Sequence, residues 1–132
     1  MLQDSTEGAE AALAEGSVTA YIGFDPTAAS LHVGTLVPIM GLMHLQRAGH
    51  HPIVLVGGGT GLIGDPSGKT EERQLLTKEK TADNIAAIRG QLEHFLDFEG
   101  STNPARTVDN LDWLGEISMV DFLRDVGKHF SV

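Results

Sequence analysis

Apolar and polar positions divide the chain into alternating helical and strand segments. Residues 6–15 are rich in Ala and Glu and run into Gly16, which predicts a short helix closed by a glycine. Residues 17–23 (SVTAYIG) carry β-branched and aromatic side chains and read as a strand. Residues 24–29, with Asp25-Pro26, read as a turn. Ser30 is placed to cap a helix running to about Ala48, with Leu31, Leu36, Ile39, Met40, Met43 and Leu45 at apolar positions. Pro38 falls inside that span and should bend it or loosen a turn, and Gly49 ends it. Residues 52–57 (PIVLVG) are continuously apolar, as in a strand covered on both faces. Residues 58–70 read as a Gly-, Pro- and Ser-rich loop. A helix is predicted over 77–98, with Ile85, Ile88, Leu92, Phe95 and Leu96 on one face. Asn103-Pro104 turns the chain into a third strand over 106–110. Ser118 and Asp121 have the spacing of a capping box, opening a helix that Gly127 stops.

Alternation of this kind predicts an α/β fold with a parallel, doubly wound sheet joined by right-handed crossovers. Ligands of such sheets bind beyond the carboxyl ends of the strands. The loops leaving those ends, 23–30 and 57–70, are rich in glycine and polar residues. Residues 1–132 suit one domain, without internal repeat, low-complexity segment or linker.

Composition narrows the classes. Hydrophobic residues make up 41% of the chain, too many for a disordered acidic tail. With no cysteine, disulfide scaffolds and thiolate metal sites are excluded. Nine basic against eighteen acidic residues give a net charge of −9, which argues against a nucleic-acid grip by this chain itself. The longest apolar run is too short to span a membrane, and the first residues lack a basic, apolar leader pattern. The expected compartment is the cytoplasm, with the mitochondrion as the alternative.

Two nucleotide motifs nearly fit. Gly59-Thr-Gly61-Leu-Ile-Gly64 matches G-x-G-x-x-G after a strand, but Asp65-Pro66 follows where a helix should carry pyrophosphate. Gly64 and Gly68, before Lys69-Thr70, resemble a P-loop with three residues between the glycines instead of four. The plain alternative is that these glycines serve turns. His32-Val33-Gly34-Thr35 opens a crossover helix, whose amino end attracts anions. Thr27 can add a hydroxyl, and Gly34 leaves room for a ring or sugar. A lone histidine is otherwise a packed or surface residue.

Residues 21–35 (YIGFDPTAASLHVGT) resemble the first signature of class I tyrosyl-tRNA synthetases. Residues 57–73 (GGGTGLIGDPSGKTEER) resemble their second loop, and 110–115 and 121–132 continue the likeness. The resemblance implies a Rossmann-like catalytic fold that activates tyrosine with ATP to tyrosyl-adenylate and transfers it to tRNA(Tyr). It implies that Tyr21 bonds the tyrosine hydroxyl. Asp25, Thr60, Asp65 and Asn110 would line the tyrosine site, with Asp65 on the ammonium. ATP would lie against Gly23, Asp25, Thr27, His32, Gly34 and Thr35. Thr27, His32, Thr35, Lys69 and Arg73 would stabilise the phosphates during reaction. Mg2+ is expected to accompany ATP, with no protein-ligated metal and no membrane partner. A homodimer is expected, with 118–132 near its contact.

Two departures stand out. Thr35 replaces the second histidine of the signature. The Lys-Met-Ser-Lys-Ser-type loop, the second half of the fold and the anticodon-binding region are missing. The chain therefore reads as the amino-terminal part of a catalytic domain, with little activity alone. The alternatives are a stand-alone nucleotide-binding module and a non-catalytic assembly fragment.

Overall fold

The computed structural model describes residues 5–63 and 76–130. Among them, β1 (Thr19–Phe24), β2 (His51–Val56) and β3 (Arg106–Asp109) form one parallel sheet in the order β1-β2-β3. Tyr21 lies beside Ile53, Gly23 beside Leu55, and Val56 beside Asp109. The crossovers contain α2 (Leu36–Arg47) and α4 (Lys78–Leu92). The expected parallel α/β order is therefore present.

Both crossover helices feed one core. Ile39, Leu42 and Met43 of α2 and Ile88 and Leu92 of α4 are buried with Phe24, Val54, Val56, Leu96 and Ala105. Alternate strand residues point to opposite faces. Tyr21, Gly23, Ile53 and Leu55 therefore lie on the other face, where Ile53 and Leu55 are half-buried. The cover expected on both sides of β2 is complete on one side only, among the described residues.

The helix boundaries correct several expectations. The first helix, α1 (Ala9–Glu15), starts after Gly8 rather than at residue 6. The α2 segment starts six residues after Ser30, whose hydroxyl donates to Leu31 O at 3.1 Å instead of capping. A 3-10 turn, Val33–Thr35, precedes α2, and His32 caps it. Pro38 thus falls in the first turn of α2, where its missing N–H leaves no helical bond broken. At the start of α4, Thr77 lies outside the helix as its cap rather than as its first residue, its hydroxyl accepting from Lys80 N at 3.2 Å. That helix ends at Leu92 rather than at 98. Gln46 from α2 intercepts the chain there, donating to Asp97 O at 2.6 Å and accepting from Asp97 N at 2.9 Å. Ser118 caps the helix as expected, with Asp121 N donating to its Oγ at 3.1 Å, and that hydroxyl donates to Asp121 Oδ2 at 2.6 Å. This cap opens α6 (Met119–Asp125), which follows a short α5 (Leu111–Leu114) not foreseen from the periodicity.

Gly49 ends α2 with φ at 91°. Its N–H donates to Gln46 O, and His50 N–H donates to Leu45 O, both at 3.0 Å. This paired arrangement reverses the chain into β2. Gly49→Ala should destabilise the protein by about 1 kcal/mol, because an L side chain opposes that backbone conformation. A denaturant midpoint unchanged by the substitution would contradict this.

Candidate functional site

The three strands end side by side, and the next residues continue their pairing. Gly57 N donates to Phe24 O and Asn110 N donates to Val56 O, each at 3.0 Å. The chain after β2 does not form the expected loop at once. Gly58–Ile63 is a short helix, α3. Its first amides are taken by side chains at the end of β3. Gly58 N donates to Asp109 Oδ1 at 2.9 Å, and Gly59 N donates to Asn110 Oδ1 at 2.7 Å. Asp109 Oδ1 also accepts from Leu111 N at 2.9 Å. Asn110 Nδ2 donates to Thr60 Oγ1 at 3.1 Å, and that hydroxyl donates to Gly57 O at 3.3 Å. These bonds supply what the glycine-rich sequence lacks in helix propensity.

Close approach explains the glycines here. A Cβ on Gly57 would sit 2.8 Å from Asp25 Oδ1 and 2.6 Å from Thr60 Oγ1. A Cβ on Gly58 would overlap the Asp109 carboxylate. The turn therefore gathers Asp25, Thr60, Asp109 and Asn110 at the carboxyl edge of the sheet. The amides of Gly58 and Gly59 are already spent on these side chains, which removes the phosphate-binding amides from the G-x-G-x-x-G reading.

The loop from Asp25 to Thr35 forms the second wall. Thr27, His32 and Gly34 are exposed on it, and Thr35 is half-buried. His32 Nδ1 accepts from Gly34 N at 3.0 Å. In the neutral ring the proton then resides on Nε2, which remains as a donor. Thr35 turns its hydroxyl back to donate to His32 O at 2.6 Å. A Cβ on Gly34 would come within 2.8 Å of the His32 ring, so the ring that occupies this space is His32's own.

Tyr21 lies within β1, on the face away from the core, and is 68% exposed. Gly23 follows on the same face, and a Cβ there would meet nothing within 4 Å. Among the described residues, nothing fills the space at Gly23 between Tyr21 and Asp25. The expected roles of Asp65, Lys69 and Arg73 fall outside the described residues, as does the P-loop-like segment 64–70.

The family model of the class I tRNA synthetases (W and Y) matches residues 13–132. The chain belongs to this family. Among class I tRNA synthetases it is similar to the tyrosine–tRNA ligase of Opitutus terrae, at 62% identity over 120 residues, or 91% of this chain and 28% of that protein. It is 57% identical to the tyrosine–tRNA ligase of Anaeromyxobacter dehalogenans over 100% of this chain and 31% of that one. The fold superposes with TM-score 0.66 on a C-terminally truncated mitochondrial tyrosyl-tRNA synthetase of Aspergillus nidulans, at 26% identity, covering 87% of this chain and 35% of that one. The chain thus spans about a third of the length of the relatives it matches.

Three residues of this class I synthetase chain escaped sequence reasoning. Asp109 caps α3, and Asn84 and Gln91 of α4 bond the 26–31 loop. The signal was present: Asn84, Ile88 and Gln91 recur at helical spacing, so two amides share an apolar face. Among the described residues, no group of three or more His, Cys, Asp or Glu could hold a metal ion. None of the described helices is long and apolar enough to cross a membrane.

Proposed function

We propose that this chain binds ATP and tyrosine for tyrosyl-adenylate formation, the step that precedes transfer to tRNA(Tyr). The observation that carries this reading is the carboxyl-edge cluster of Asp25, Thr60 and Asn110, with sheet surface that the described residues leave open running from it to Tyr21. The reaction is attack of the tyrosine carboxylate on the α-phosphorus of ATP, expelling pyrophosphate. It requires alignment of the reactants and stabilisation of phosphate charge, without covalent help from the protein. Thr27 and the Nε2–H of His32 would donate to the phosphates. Asp25, Asn110 and Thr60 would hold tyrosine in place, and Asp65 would pair with its ammonium. Lys69 and Arg73 would meet the departing pyrophosphate. Mg2+ would arrive with ATP. Tyrosine-dependent exchange of pyrophosphate into ATP, measured with this segment in place in a full-length tyrosine–tRNA ligase, tests the reading. Exchange driven equally by tryptophan, or not driven by tyrosine, would overturn it.

Tyr21→Phe should narrow the preference for tyrosine over phenylalanine by about 1 kcal/mol, the worth of one neutral hydrogen bond. Competitive activation of the two amino acids measures it, and an unchanged ratio would remove Tyr21 from the phenol site.

We also propose self-association through the segment from α5 to residue 130. Met119, Val120, Leu123 and Phe130 are exposed there at 71%, 72%, 58% and 75%. Exposed apolar side chains so close together favour a protein contact. Leu123→Asp should lower the sedimenting mass to that of the monomer at micromolar concentration. A mass that does not change would place the contact elsewhere.

A further inference from the structure

We propose that Asn84 and Gln91 are positioning residues for the nucleotide, acting through the 26–31 loop on Thr27 and His32. This rests on the proposed function. Gln91 grips the loop in both directions: its Oε1 accepts from Leu31 N at 3.0 Å, and its Nε2 donates to Ala29 O at 2.9 Å. One turn pair earlier on α4, Asn84 Nδ2 donates to Pro26 O at 2.9 Å. Three backbone groups between Asp25 and His32 are therefore held by two amides from an element about sixty residues away in sequence.

The placement of these amides argues for positioning rather than packing. Asn84 is 1% exposed, yet its Oδ1 has no hydrogen-bond partner among the described residues. A buried unpaired acceptor opposes folding, so packing alone does not account for an amide at this position. What Asn84 supplies and an apolar residue lacks is the bond to Pro26 O, immediately after Asp25. Among the described residues, burial adds little to hold the loop. Pro26 is buried, but Thr27, Ala28, Ala29, Ser30 and His32 are exposed, and Leu31 is half-buried. Loss of the Gln91 bonds would release the backbone on both sides of Ser30, directly before His32. The tyrosine side of the site, built on Gly57, Thr60 and Asn110, has separate anchors in Asp109 and the strand ends. The two substrates should therefore respond differently.

The test compares Gln91→Met, at a half-buried position, with Asn84→Leu. Amide hydrogen exchange should be about tenfold faster at Leu31 in Gln91→Met, while Val54 and Val56 in β2 keep their protection. In tyrosine-dependent ATP–pyrophosphate exchange, kcat/KM for ATP should fall about tenfold in either variant; in Gln91→Met, whose bonds lie away from Asp25, the KM for tyrosine should be unchanged. Unaltered exchange at Leu31 overturns the clamp. In Gln91→Met, a faster Leu31 amide with unaltered ATP kinetics, or parallel losses for ATP and tyrosine, overturns the positioning role. If the unmodified protein shows no tyrosine-dependent exchange, the proposed function fails and takes the nucleotide role with it. The Leu31 amide still judges the clamp in that case, so the two failures are distinguishable.

Discussion

His32→Ala should slow tyrosyl-adenylate formation about 100-fold or more while leaving the KM for tyrosine unchanged. The expectation follows from how the ring is held. Its Nδ1 accepts from Gly34 N at 3.0 Å, so Nε2 carries the proton and is the atom left to meet a phosphate. A donor fixed in advance acts most strongly as charge develops on the departing pyrophosphate, so the loss should fall on rate rather than on ground-state binding. The ring has a second task, since it caps the Val33–Thr35 turn that leads into α2. His32→Asn separates the two. Asparagine is a strong capping residue, so it should restore stability lost in the Ala variant, but it cannot extend a donor to the position of Nε2. Stability should return without rate. If Asn restores the rate as well, catalysis depends on the shape of the turn rather than on the imidazole donor. If His32→Ala weakens tyrosine binding as much as it slows the reaction, the phosphate assignment fails.

The order of elements was legible because periodicity reports burial, and burial of one face is what these helices and strands share. The β1 strand, α2, β2, α4 and β3 all lie close to where the pattern predicts them. The displaced boundaries have another origin. The late start of α2 depends on a histidine acting as the cap, while the sequence offers Ser30 as the conventional candidate. The early end of α4 depends on Gln46, a residue of another helix, bonding Asp97 in both directions. Helix formation at 58–63 depends on Asp109 and Asn110, fifty-one residues later in sequence. In each case a side chain decides the backbone through a bond that one-dimensional pattern does not contain. The site divides in the same way. Asp25, Thr60 and Asn110 could be nominated by type and by resemblance, whereas Asp109, Asn84 and Gln91 act on backbone groups and become visible once the fold brings them there.

Gly58→Ala should destabilise the protein by about 3 kcal/mol, an unusual penalty for a substitution that normally favours a helix. A Cβ at this position overlaps the Asp109 carboxylate, and no smaller side chain than a methyl exists to avoid it. The carboxylate must move, releasing Gly58 N and Leu111 N, which it now accepts at 2.9 Å each. Two charge-assisted bonds are lost at a half-buried site, and overpacking strain is added. Asp109→Ala alone should cost about 2 kcal/mol, because it leaves the same two amides without their acceptor but introduces no overlap. In that background Gly58→Ala should change sign and become neutral or stabilising by about 0.5 kcal/mol, the ordinary helical preference for alanine. A double-mutant cycle on denaturant midpoints reads this coupling directly. Equal costs of Gly58→Ala with and without Asp109 would show that the glycine is retained for another reason. The same shift should reach the substrate site, because Asn110 follows Asp109 and its side chain holds Gly59 N and Thr60 Oγ1. The KM for tyrosine should therefore rise in Gly58→Ala with the KM for ATP little changed, the reverse of the pattern expected when the 26–31 loop is released.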